Sequence, residues 1–141
     1  MPEDNEAVLG RAVSRWNEGD IAGYLELYDA DVVAHGLPGV EPGLESVRGC
    51  YEALWAAFPG ARLTLDDVIS EGDEVACRFT LRVTHEGEFN GIPPTNKRVV
   101  VTGITILRFA EGKCVERWNQ ADFLGQLQQL GAIPEPEQAR G

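Results

Sequence analysis

The sequence predicts an α+β fold: a cone-shaped, curved antiparallel sheet with three N-terminal helices packed on its concave face and a short C-terminal helix. Three observations point there. Apolar residues recur at helical spacing up to Phe58, long runs rich in Val, Ile, Thr and Phe begin at Arg62, and turn signals divide those runs into hairpins. Helices gathered before a meander of strands pack as a layer on one sheet face.

The helical half comes first. Pro2 suits a first turn, where Glu3, Asp4 and Glu6 complement the positive helix end. Leu9, Ala12, Val13 and Trp16 then share one face, and Asn17 and Gly19 end the helix. Asp20 is placed to cap a short second helix with apolar residues Ile21, Tyr24, Leu25 and Tyr28. A short strand, 31–35, precedes the loop GLPGVEPG. A third helix over about 44–58 sets Val47, Tyr51, Leu54, Trp55 and Phe58 on one side, and Pro59 with Gly60 stops it.

The second half changes period. Segments 62–70, 74–85, 98–109 and 113–121 read as long antiparallel strands, separated by EGDE, a Gly/Pro loop around 91–96, and AEGK. A last amphipathic segment, 122–130, ends at Gly131, and PEPEQARG reads as a frayed tail. The aromatics Trp16, Tyr28, Tyr51, Trp55 and Phe58 are placed to close one end of the cone. Such a cone leaves an apolar cavity with a few inward polar groups, the usual form of a small-molecule site.

Composition narrows the function. The 141 residues suit one domain, 1–141, with a core over about 5–131 and a flexible tail at 132–141. Twelve Lys and Arg against 23 Asp and Glu give a formal net charge of −11, which disfavours nucleic acid and anionic membranes as partners. There is no run of 18 apolar residues, and MPEDNEAV does not resemble a secretory signal. Cys50, Cys77 and Cys114 are odd in number and far apart, and read as small buried hydrophobes of a reducing compartment. A cytoplasmic protein is expected.

The familiar catalytic signatures GxGxxG, GxxxxGK[ST], GxSxG, HExxH and CxxC are absent. Asp29 and Asp31 read as turn carboxylates rather than metal ligands, and no metal or cofactor is expected. Alternation from Cys114 puts Cys114, Glu116, Trp118 and Gln120 on one strand face, with Val115, Arg117 and Asn119 on the other. Asp122 comes directly after that strand, and two readings of it stand open. Either it caps the last helix through the N–H of Leu124 or Gly125, or it lies at the cavity mouth beside Trp118 as a general base.

These residues resemble a known family. The stretches YDADVVAHG, EGDEVACRFTLRVTHEGEFNGIPPTNKRV and ITILRFAEGKCVERWNQADFLGQLQQLG are similar to the SnoaL-like polyketide cyclases, also called ester cyclases, of the nuclear-transport-factor-2-like superfamily. With the helical pattern, the resemblance covers about residues 5–131. It implies a cystatin-like α+β cone, usually a homodimer or higher homo-oligomer, and a cofactor-free lyase or isomerase. An aspartate base would drive intramolecular aldol closure of an aromatic polyketide ester, and Asp122 matches that aspartate. The family's assisting histidine lies on the preceding strand, where VVVTGITILRF has none, so His35 and His85 are the remaining imidazole candidates.

Substrate contacts are expected from Trp16, Tyr28, Tyr51, Trp55, Phe58, Arg78, Phe89, Trp118 and Asn119, although core packing also explains the aromatics. Arg78 and Arg82 flank Thr80 on one strand face, and either binds an anion or pairs with a carboxylate. Phe89, Ile92 and Pro93 are placed as a lid. The expected partner is a small apolar or aromatic molecule. A hydrolase, dehydratase, isomerase or hydroxylase on the same cone, or a non-catalytic binder, remains an alternative.

Overall fold

The computed structural model describes residues 4–37 and 39–132; the readings for Pro2, Glu3 and the tail lie outside the described residues. Helices α1 (Asn5–Asn17) and α2 (Ile21–Leu25) come first, then strand β1 (Tyr28–His35) and helix α3 (Leu44–Ala57). Four long strands come next: β2 (Arg62–Glu71), β3 (Glu74–Thr84), β4 (Arg98–Ala110) and β5 (Lys113–Ala121). The last element is helix α4 (Phe123–Leu130).

Local chemistry sets the helix ends. The Asp4 carboxylate accepts the Glu6 N–H at 3.1 Å, and Asp20 accepts the Gly23 N–H at 2.9 Å. Gly19, at φ 82°, supplies the left-handed residue between α1 and α2. Leu9, Ala12, Val13 and Trp16 are all buried, as their spacing predicts. The Trp16 indole N–H donates to the Ala61 carbonyl at 2.9 Å, which fixes the helix over the start of β2. Tyr28 differs from the expectation: it opens β1 rather than closing α2, because α2 ends at Leu25.

The open, curved sheet has the order β1-β5-β4-β3-β2. Its three hairpin pairings are antiparallel, but β1 runs parallel to β5, so the sheet is mixed. α3 carries the chain from β1 at one edge of the sheet to β2 at the other, and it packs against β1. Val75, Val99, Leu107 and Phe109 point from β3 and β4 into the helical layer, where they meet Leu9, Trp16 and Val47. Each such side chain contributes about 1.5–3 kcal/mol on burial.

One irregularity positions the site. The β4–β5 register shifts between Arg108 and Phe109, which face Glu116 and Cys114 respectively, so Val115 is an extra residue in the β5 ladder. Such a bulge reverses the in–out phase of the strand beyond it. Cys114 faces inward, and past the bulge Arg117 and Asn119 are the buried residues while Glu116, Trp118 and Gln120 face out.

Candidate active site

Between the helices and the inner sheet face lies a cavity of about 110 Å³. Its walls are apolar, with Leu9, Val13, Trp16 and Leu54 from the helices and Leu63, Phe79, Leu81, Val101 and Leu107 from the strands. Six polar residues reach it: Tyr24, Tyr51, Thr105, Arg117, Asn119 and Gln126. Leu37, Asn119, Ala121 and Phe123 also border a recess on the surface, which makes the β5–α4 junction the mouth.

Arg117 organises the polar part of the lining. Its Nε donates to Thr105 Oγ1 at 2.9 Å, and Nη2 donates to Asn119 Oδ1 at 3.2 Å. Its Nη1 lies 2.5 Å from the Tyr28 hydroxyl, 2.6 Å from that of Tyr51 and 3.2 Å from that of Tyr24. Thr105 in turn donates to the Trp118 carbonyl at 2.9 Å, which anchors the group to the sheet. Burial opposes the guanidinium charge, but the oxygens of Tyr28, Tyr51 and Tyr24 outweigh it and raise the Arg117 pKa. Burial also pushes the Tyr24 and Tyr28 phenols well above their ordinary range, with Arg117 pulling them partly back.

Asp122 sits between the lining residues Ala121 and Phe123 at the mouth, exposed and outside the lining itself. Its Oδ1 accepts the Gly125 N–H at 2.8 Å and caps α4. No described residue bonds Oδ2. The cap and a free carboxylate oxygen therefore coexist. The junction is held from both sides: the Asp122 N–H donates to the Thr102 carbonyl at 2.8 Å, and the Gln129 amide bonds both backbone groups of Val100.

Of the other residues singled out in the sequence, Trp16, Tyr51 and Asn119 line the cavity. Tyr28 stands behind the wall and reaches the site only through Arg117. Trp118 is corrected: the bulge turns it to the outer face, where it stacks on His35 at 5.6 Å. His35 also faces out, 2.8 Å from Glu116 Oε2, so it is no neighbour of the cavity. Arg78 is half-exposed and forms an ion pair with Asp67 at 2.7 Å, which matches the carboxylate reading. Trp55 packs edge-on against Trp16 rather than on the cavity.

His85 is fully buried, yet it is absent from the cavity lining. The Thr95 N–H donates to its Nδ1 at 3.2 Å, and the His85 backbone bonds Lys97 and Asn96, so the residue orders the 86–97 loop. Buried Phe58 packs against its ring, and partly buried Phe89 packs on Phe58. Asp29 accepts the Asp31 N–H at 2.9 Å, the turn arrangement. Arg117, Tyr24, Thr105 and Gln126 were not among the predicted contacts. Arg117 and Asn119 shared a strand face in the sequence, and that shared face was the available signal.

Comparison with known proteins fits this geometry. The family model for SnoaL-like polyketide cyclases matches residues 6–130. The chain is 27% identical over 124 residues to the nogalonic acid methyl ester cyclase of Streptomyces nogalater, covering 84% of this chain and 91% of that one. Among solved structures it is similar to AclR of Streptomyces galilaeus, a candidate hydroxylase. There the TM-score is 0.84 and the identity 31%, covering 96% of this chain and 85% of that one. IdmH of Streptomyces antibioticus, a candidate polyketide cyclase, gives 0.80 at 31% identity over 92% and 99%. A 75-residue stretch is also 36% identical to an error-prone DNA polymerase of Alkalilimnicola ehrlichii; the match spans 53% of this chain and only 6% of that one. The inner cavity, the helices over a curved sheet and the match along nearly the whole chain agree: the protein belongs to the SnoaL-like polyketide cyclase family.

Proposed function

We propose that the protein is a cofactor-free enzyme that enolises an aromatic polyketide ester and closes a ring by intramolecular aldol addition, with Asp122 as general base. The observation that carries this reading is the free Oδ2 of Asp122 at the mouth of an apolar cavity, on a carboxylate already oriented by its cap. A C–H flanked by a ketone and an ester is acidic, so one positioned carboxylate suffices. The proton passes to Oδ2, and the carbanion so formed attacks a second carbonyl of the same molecule. The alkoxide then recovers a proton. The reacting carbon then lies at the mouth beside Asp122, with the cavity of about 110 Å³ and the outer recess taking the parts of a multi-ring substrate on either side of it.

A second reading, hydroxylation on the same scaffold, is supported by the similarity to AclR. One experiment addresses both. Wild type and Asp122→Asn are incubated with an uncyclised anthraquinone β-keto methyl ester, and products are followed by chromatography with mass detection. An isomeric product from wild type alone supports ring closure. A product heavier by one oxygen supports hydroxylation, and an isomer formed equally by Asp122→Asn removes Asp122 as the base.

A further inference from the structure

Among the described residues, the cavity contains one charged group and nothing to balance it. Arg117 is buried, and every oxygen it contacts is neutral: one threonine, three tyrosines and one amide. No described carboxylate lines the cavity. Counting hydrogens sharpens the point. Nη2 carries two N–H groups and has a single acceptor among the described residues, Asn119 Oδ1. The three tyrosine hydroxyls share two contacts, Tyr24 to Tyr28 at 2.6 Å and Tyr28 to Tyr51 at 3.2 Å. Two contacts use two hydrogens, and one O–H is left over. Asn119, its oxygen engaged by Arg117, keeps its amide N–H groups for the cavity it lines.

The Arg117 group therefore presents unused donors and a positive charge to an apolar chamber. A buried guanidinium held by neutral oxygens, with donors to spare, has the hydrogen-bonding capacity to take an anion as a further partner. We infer that Arg117, Tyr51 and Asn119 form a recognition site for a carboxylate carried by an otherwise apolar, ring-shaped ligand. Planar guanidinium donors match carboxylate geometry, and the dry walls leave the attraction weakly screened. The chain's net charge of −11 offers an anion no general attraction, so selection for the carboxylate takes place inside. The inference rests on reading the cavity as a small-molecule site, and it adds a chemical class that the ring-closure proposal does not require.

The test is calorimetric titration of the wild-type protein with 2-naphthoate and its uncharged isostere 2-naphthamide near neutral pH. The expected result is binding of the carboxylate at least about tenfold tighter than the amide. In Arg117→Met the carboxylate-over-amide preference disappears. Tyr51→Phe, which keeps the ring and loses the hydroxyl, lowers the carboxylate-over-amide preference several-fold. Equal affinity of the two probes for wild type, or binding of neither at millimolar concentration, overturns the inference. That comparison needs no variant, so a poorly folded Arg117→Met does not obscure it. Carboxylate preference without ring closure would sink the proposed function alone, and ring closure without carboxylate preference would sink this inference alone.

Discussion

Tyr51 on α3 and Arg117 on β5 meet at 2.6 Å in the interior of the protein, 66 residues apart in the chain. The contact ties the helical layer to the sheet through a charge rather than through apolar packing alone.

Substitution separates the helix cap that Asp122 makes from the base role proposed for it. Asn caps helices about as well as Asp, so Asp122→Asn is expected to keep the thermal midpoint within a degree or two. Its ring-closing rate is expected to fall by about 10²–10⁴-fold. Asp122→Ala loses the same activity and in addition about 1 kcal/mol of stability. Urea unfolding of the two variants, run beside the activity assay, tells cap from base.

Gly36 comes after β1 at φ 82°, and a Cβ there would stand 1.9 Å from the Asn119 carbonyl oxygen. Both the backbone conformation and the close approach exclude a side chain. Gly36→Ala is expected to destabilise by about 1–3 kcal/mol and to displace Asn119 from the cavity. An unchanged urea midpoint would refute the close approach.

The thiols give a pH prediction. Burial raises Cys114 from its ordinary 9.0 to about 11, with Arg117 pulling the other way, and burial raises Cys50 and Cys77 as well. Thiolate is the reactive form, so native protein near neutral pH is expected to react slowly with a disulfide reagent and to yield three thiols once unfolded. A folded pKa above the unfolded one favours the native state while the thiol stays protonated. The Cys114 contribution is complete below 9.0 and declines as pH rises toward 11. Rapid native labelling of all three thiols would contradict this.

We propose that the outer sheet face pairs two copies of the chain. Ile106 and Trp118 are cross-strand partners there, and Ile104 is 56% exposed beside them. Light scattering at micromolar concentration is expected to give a dimer, with Ile104→Arg shifting it toward monomer. A monomeric wild type would rule the pairing out.

Periodicity and turn chemistry determined much of this protein. The faces of α1 and α3, the Asp20 cap, the four long strands and the Gly131 stop arise from interactions within a few residues, so they are written in the local sequence. The strand pattern to 121 and the amphipathic segment after it likewise placed Asp122 at the strand–helix junction. The tertiary structure decided which residues face the cavity. Alternation from Cys114 points Trp118 inward, but the bulge at Val115 resets the phase and exchanges Trp118 for Arg117 and Asn119. A bulge is a property of two paired strands, and one strand's sequence does not display it. For the same reason the Arg117–tyrosine group was hidden: its members come from α2, β1, α3 and β5, and only the packing of helices on the sheet brings their oxygens to one guanidinium.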